Sequence, residues 1–257
     1  MLRREVILGL LALSLAAPGI QAQTGTPGAA AEPAASAVDA GSIQALKDMG
    51  AHLQTLKRFQ VTTDVTGERV LEDGQKLQHS ATATLDVARP NKVRVWMMSA
   101  RSERELIYDG KAATLYTPAQ KSYSSVAFTG TLDQLVDGLQ RNYGVEVPLS
   151  DLFVWGTAAA PLDKIESAMN AGQDFIDEDL CNHYAFRQGL LDWQIWITTG
   201  SKPLPRKLVI TNRADEARPE SVSLIDWNLT PTFKDSIFTF VPPKGTAKAE
   251  IVPLKKQ

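Results

Sequence analysis

One cysteine, Cys181, stands in 257 residues. A single thiol excludes an internal disulfide, so stability has to come from a hydrophobic core, which a chain of this length can build. Histidine is almost as scarce, with three in the chain. His52, His79 and His183 stand at no recognised metal spacing, and His183 with Cys181 would need two further ligands, so no metal or cofactor is expected. No apolar run reaches membrane-spanning length. No basic stripe is present, which excludes nucleic acid as a partner. Neither Gly-x-Ser-x-Gly nor a phosphate-binding glycine loop occurs. Ser122, Ser124 and Ser125 sit on a strand with no histidine near in sequence, which weakens an enzyme reading, though a triad assembled from distant segments stays open. The acidic run Asp174, Asp177, Glu178 and Asp179 lacks the ligand order of a calcium loop and reads as a solvated turn.

What is there is ordinary globular composition, 44% hydrophobic and 22% charged, with a formal charge of −2. The start of the chain has the form of a secretory signal: Arg3 and Arg4, then apolar Ile7 to Ala17, then Pro18 and Gly19, with a cut predicted between Ala22 and Gln23. An uncleaved anchor is the alternative. Removal of Arg3, Arg4 and Glu5 with the leader takes away a net +1 and leaves −3. No cysteine stands at the cut to carry a lipid. The expectation is therefore a soluble periplasmic protein: signal over 1–22, an Ala/Pro/Gly-rich disordered leader over 23–40, one domain over 41–249 and a loose tail over 250–257.

Ser42 is predicted to cap a first helix whose apolar stripe is Ile43, Leu46, Met49, Leu53 and Leu56, with Gly50 weakening it modestly. Strands follow. Phe59–Val70 turns through Glu72-Asp73-Gly74 into Leu77–Val87, whose alternation places His79 on the apolar face as a core histidine. Short strands over Val93–Trp96, Glu105–Tyr108, Ala113–Thr117 and Ser122–Phe128 make an antiparallel meander. The pattern then becomes helical. Thr131 caps a helix carrying Leu132, Leu135, Val136 and Leu139 that ends at Gly144. Pro148–Trp155 is a second apolar segment, and Pro161–Met169, capped near Asp163, a third. This insert is too apolar for a solvated connection and is predicted to pack into the sheet as a lid.

Strands resume at Gln173–Ile176 and Tyr184–Gln188 and reach the most informative stretch, the hairpin of Asp192–Thr198 and Arg206–Thr211. Trp193, Ile195 and Ile197 lie on one face of its first strand and Trp196 on the other, so both faces are predicted to be covered. Ser221–Leu229 and Phe238–Val241 are the last strands. Trp96, Trp155, Trp193, Trp196, Trp227, Phe128 and Phe153 read most plainly as core aromatics. The functional reading has some of them line a cavity for acyl chains, with Met97, Met98 and Met169 as adaptable surface.

Three segments resemble the LolA-like lipoprotein carriers, in the family's order: DVARPNKVRV at Asp86–Val95, YDGKAATLYTP at Tyr108–Pro118 and IFTFVPPKGT at Ile237–Thr246. The chain from Gly41 to Ala249 is more closely similar to a predicted periplasmic family sharing that fold, through elements at Gly74–Leu77, Trp155–Leu162 and His183–Gln188. The resemblance implies a mainly β (α+β) protein: an open antiparallel half-barrel of about eleven strands with helices plugging its concave face. It implies a cavity for acyl chains and a lid held shut by an arginine bonding its backbone carbonyls, a position taken here by Arg89. The cavity candidates are Trp96, Leu132, Leu135, Leu139, Leu152, Phe153, Trp155, Trp193 and Trp196. The expected function is non-catalytic binding of a lipid, a lipoprotein acyl chain or another hydrophobic ligand by a monomer in passing contact with a membrane surface. A protein-interaction or envelope-stress sensor module, with another envelope protein as partner, is the alternative. A hydrolase is the third reading.

Overall fold

A computed structural model describes residues 37–254. The predicted signal, the leader up to residue 36 and residues 255–257 lie outside the described residues. Twelve strands form one sheet. β1 (Arg58–Val70), β2 (Lys76–Ala88), β3 (Lys92–Ser99), β4 (Ser102–Tyr108), β5 (Ala112–Thr117) and β6 (Ser122–Ala127) make a first meander of antiparallel neighbours. The helical insert follows: α2 (Leu132–Tyr143) and the single turn α3 (Asp151–Val154), preceded in the chain by α1 (Ala40–Thr55). The second meander is β7 (Ser167–Ile176), β8 (Asp179–Gln188), β9 (Leu191–Thr198), β10 (Pro205–Asn212) and β11 (Glu220–Asn228). β11 returns to pair antiparallel with β1, from Gln60↔Asn228 to Gly67↔Ser221. A two-residue strand, β12 (Ala247–Lys248), adds to β6 in parallel and brings the count to one more than expected. β7 and β12 are the two edges, and they do not meet, so the sheet stays open.

The alternation of each strand sends one row of side chains to a common core. Phe59, Val61, Leu85, Val95, Leu106, Tyr108, Phe186, Ile195 and Ile225 are buried together with Leu46, Met49 and Leu53 of α1 and the apolar side of the insert. Strands from β4 to β8 reach the same few helices only because the sheet curls around them. α1 enters through its stripe, and Gly50 lets it come close. A Cβ built on Gly50 would lie 2.5 Å from the Gly156 nitrogen, and one on Gly156, whose φ is +80°, would lie 2.3 Å from the Gly50 carbonyl oxygen. The weak position in the helix is thus where the insert's backbone is received.

Several sequence expectations are corrected. Asp39 caps α1, accepting from the Ser42 N–H and hydroxyl at 2.7 Å each. The helix begins at Ala40, so Ser42 lies inside its first turn and its own N–H is one that needs a partner; these bonds hold the Asp39 carboxyl below the ordinary range. The end of the predicted leader is ordered, for Ala37 and Asp39 exchange backbone bonds with Ala168 of β7. Pro161–Met169 is no helix. Only Leu162–Lys164 makes a 3-10 turn, and Ser167 onward pairs with β8, so sheet pairing overrides a local helical spacing. Phe238–Val241 is not a strand: Asp235–Phe238 is a 3-10 turn, and the two following prolines lack the donors a strand would need. His79 is exposed, because β1 and β2 run past the core at that end, and its ring lies over Gly67 across the strands. The tail is tied to α2 where the Leu254 N–H donates to the Asn142 carbonyl at 2.7 Å.

Candidate functional site

The inner face of the sheet and the insert enclose the candidate site. Thr131 begins α2, with its N–H donating to Gln134 Oε1 at 3.0 Å, and Gly144 ends it at φ +66°. Leu132, Leu135, Val136 and Leu139 therefore share one face, and all four are buried. The turn after β2 holds both ends of the insert. Pro90 accepts from the Leu132 N–H at 3.2 Å, and Arg89 Nη2 donates to the Leu152 carbonyl at 3.1 Å. The Arg89 guanidinium also lies 5.9 Å from the ring centres of Phe59 and Phe153. Burial presses its pKa downward, and Asp133 opposes that. An arginine keeps its charge in such surroundings. Its Nε is buried without a partner. On the other flank of the insert, Gln54 of α1 donates Nε2 to the Trp155 carbonyl at 2.7 Å.

Two cavities lie beneath. The smaller, of about 110 Å3, runs between Val154, Trp155, Leu162 and Ile165 of the insert side and Trp193 and Leu208 of the sheet. Its lining is almost wholly apolar. The larger, of about 450 Å3, opens between residues 145–151 and the floor of β1, β2, β3, β10 and β11. Met97 and Val65 line it, but so do Thr82, Gln140, Ser221 and Ser223. Asp151, Leu208 and Ile210 belong to both cavities. Asp151 is exposed, and what it borders is the hollow; the protein packed around it desolvates the carboxyl and raises its pKa above the ordinary value.

The sequence-chosen cavity residues fall into three places. Trp155 and Trp193 line the smaller cavity, Trp193 stacked on Phe186 with ring centres 4.2 Å apart. Leu132, Leu135, Leu139, Leu152 and Phe153 are buried within the plug itself. Trp96 and Trp196 are on the outer face, which corrects their assignment to the cavity. Trp96 alternates with the buried Val95 and bonds Glu103 through Nε1 at 3.0 Å. Trp196 is buried with Cys181 and Val209 in a small outer cluster.

That cluster also explains why no second layer is needed over β9. His183 and Lys207 stand opposite Trp196 on the flanking strands. The His183 ring stacks on the indole at 3.9 Å, the Lys207 ammonium lies 4.5 Å from the ring centre, and Nε1 donates to Asp174 at 2.8 Å. Cross-strand neighbours do the covering. His183 contacts Gln194 through Nε2 at 2.9 Å, and the Cys181 thiol is pushed up by burial, the reverse of an activated nucleophile. Among the described residues no group of side chains is arranged to hold a metal ion, and no helix is long and apolar enough to cross a membrane.

Asp151, Leu208 and Ile210 were not singled out in the sequence. Leu208 and Ile210 carried a signal, as inward positions of a strand beside Trp193. Asp151 carried none, for its significance depends on the cavities around it.

A family model described as "Predicted periplasmic protein (DUF2092)" matches residues 42–252. No curated protein matches the sequence. Solved structures to which the chain is similar include an uncharacterized conserved protein from Thermus thermophilus, at 12% identity and a TM-score of 0.49, covering 82% of this chain and 99% of the other. LprF from Mycobacterium bovis is similar at 12% identity and 0.43, over 76% and 96%. A LolA superfamily protein from Nitrosomonas europaea is similar at 12% and 0.37, over 77% and 97%.

Proposed function

We propose, for a chain that belongs to this predicted periplasmic family, that it is a non-catalytic carrier holding a lipid, a lipoprotein acyl chain or another hydrophobic ligand inside its half-barrel. The observation that carries the reading is the insert: an apolar plug, seated over a hollow it does not fill, with its backbone held by Arg89 at Leu152. The apolar cavity is smaller than the ~300 Å3 at which drug-sized ligands begin to fit, so a long chain has to displace part of the plug. Leu152 and Phe153 each contribute roughly 1.5–3 kcal/mol by their burial. A buried acyl chain recovers about 0.8 kcal/mol per methylene, so about four to eight buried methylenes balance the displacement of those two side chains. Such a balance permits both uptake and release. Arg89 is the latch in this reading, and Trp155 and Trp193 are the aromatic walls.

The test is native mass spectrometry of protein purified from the periplasm, beside Arg89→Leu. Bound lipid in the natural chain, with altered retention in the variant, is the expected result. An empty chain that takes up no lipid from vesicles, with an unchanged variant, overturns the reading.

A second reading has its own observation. β7 is an edge strand, met on its outer side by the Ala37–Asp39 segment at Ala168, and further along it Met169 is 55% and Phe175 71% exposed. An open edge with apolar side chains accepts a strand from another protein. Capture of one specific envelope protein by a lipid-free chain, lost on substitution of Phe175 by Lys, would favour this interaction or sensor role.

A further inference from the structure

We propose that the ligand of this hollow carries a cationic amine at its polar end, and that the Asp151 carboxylate receives it. The inference rests on the carrier reading above and names the chemistry of the ligand's head. Asp151 is the one ionisable side chain shared by the two cavities. On one side of it the walls are Trp155, Leu162, Ile165 and Trp193, a place for a tail. On the other side stand Ser221, Ser223 and Gln140, a place for polar groups. An amphiphile laid across this boundary puts its junction of tail and head beside the carboxylate.

The sign of the charge comes from the rest of the lining. No Lys, Arg or His lines either cavity, and Glu146, the other charged group there, is also acidic. Neither Asp151 nor Glu146 is in an ion pair with another side chain among the described residues. An anionic head would meet two carboxylates and no compensating cation. A neutral donor gains one ordinary hydrogen bond. An ammonium gains a charge-assisted bond in a partly desolvated place, which is the stronger interaction. Its surroundings support this: a carboxyl partly desolvated by the protein packed around it, with no protein cation to offset that, is stabilised by a cation that arrives with the ligand.

The experiment uses the full mature chain and three probes with one tail, decylamine, decanol and decanoate, in displacement of a neutral fluorescent reporter. A short-chain phosphatidylethanolamine is a fourth probe. Decylamine is expected to bind at least about tenfold tighter than decanoate. Asp151→Asn is expected to close that gap, weakening decylamine far more than decanol, and Asp151→Glu to restore it. Glu146→Gln should leave most of the gap in place. Tight binding of the aminophospholipid as well identifies a lipid headgroup as the source of the amine; binding of decylamine without it identifies a simple amine. Equal binding of all three ten-carbon probes, or a preference that survives Asp151→Asn, overturns the proposal and leaves the carrier reading standing. Failure of every probe to bind overturns both.

Discussion

Gly50 and Gly156 touch backbone to backbone, with no room for a Cβ on either. Gly50→Ala is therefore a test with two opposed terms. Alanine improves the helix by about 1 kcal/mol, whereas forcing a methyl against fixed backbone costs typically about 1–3 kcal/mol or more. The steric term wins, because a 2.5 Å approach to the Gly156 nitrogen leaves no flexible atom to yield. The variant is expected to melt lower than the natural chain in a denaturant titration. An unchanged or raised midpoint would mean that the insert is not seated as described.

The Arg89–Leu152 bond predicts a local effect. Loss of a hydrogen bond from a charged donor is worth about 1.5–3 kcal/mol, and it bears on the insert rather than on the sheet. In Arg89→Leu, amide exchange should quicken at Leu152, Phe153 and Trp155 while β2 and β3 keep their protection. Uniform loss of protection would assign Arg89 to the global fold instead.

Tyr108 fixes the approach to α2. Its hydroxyl donates to the Gly130 carbonyl at 2.8 Å and accepts from the Gly130 N–H at 3.0 Å, with the ring fully buried. Tyr108→Phe keeps the ring and strands both backbone groups. A loss of about 1–3 kcal/mol is expected in chemical denaturation.

Asp151 predicts a pH dependence. Its folded-state pKa is raised by desolvation above the ordinary 3.8. Between that ordinary value and the raised one, the folded chain holds a proton that the unfolded chain has released. Stability is therefore fully present below the ordinary range and is lost as pH rises through the raised value. Asp151→Asn should melt higher than the natural chain near neutral pH and match it once the solution is more acidic than the ordinary carboxylate range. The same difference in both conditions would remove ionisation as the cause.

The sequence made the two meanders legible because strand alternation and hairpin turns are local signals. Leu77–Val87 and Asp192–Thr198 stood out by period-two spacing, and Thr131 with Gly144 bounded α2 by capping chemistry alone. What the sequence could not disclose depends on neighbours far along the chain. Trp196 is buried by His183 and Lys207 from adjacent strands, so its bulk did not require a covering layer. The stretch after Pro161 had helical spacing, but β8 lay waiting to pair with it. The Arg-Pro element pointed to Arg89 by resemblance. Asp151, by contrast, is one more acid beside a short apolar run until two cavities converge on it.

The pairing of β1 with β11 has a kinetic side. Each meander closes through hairpins between residues near in the chain, but Thr63 finds Ile225 only across most of the domain. Closing so long a loop is entropically slow. The halves are thus expected to organise on their own and dock late, with pulse-labelled amides on the facing edges of Thr62–Val65 and Ser223–Asp226 shielded after those of β3–β4 and β8–β9. A chain newly delivered unfolded to the envelope would then spend its most vulnerable interval as two unjoined ribbons, each showing an apolar inner row to the solvent.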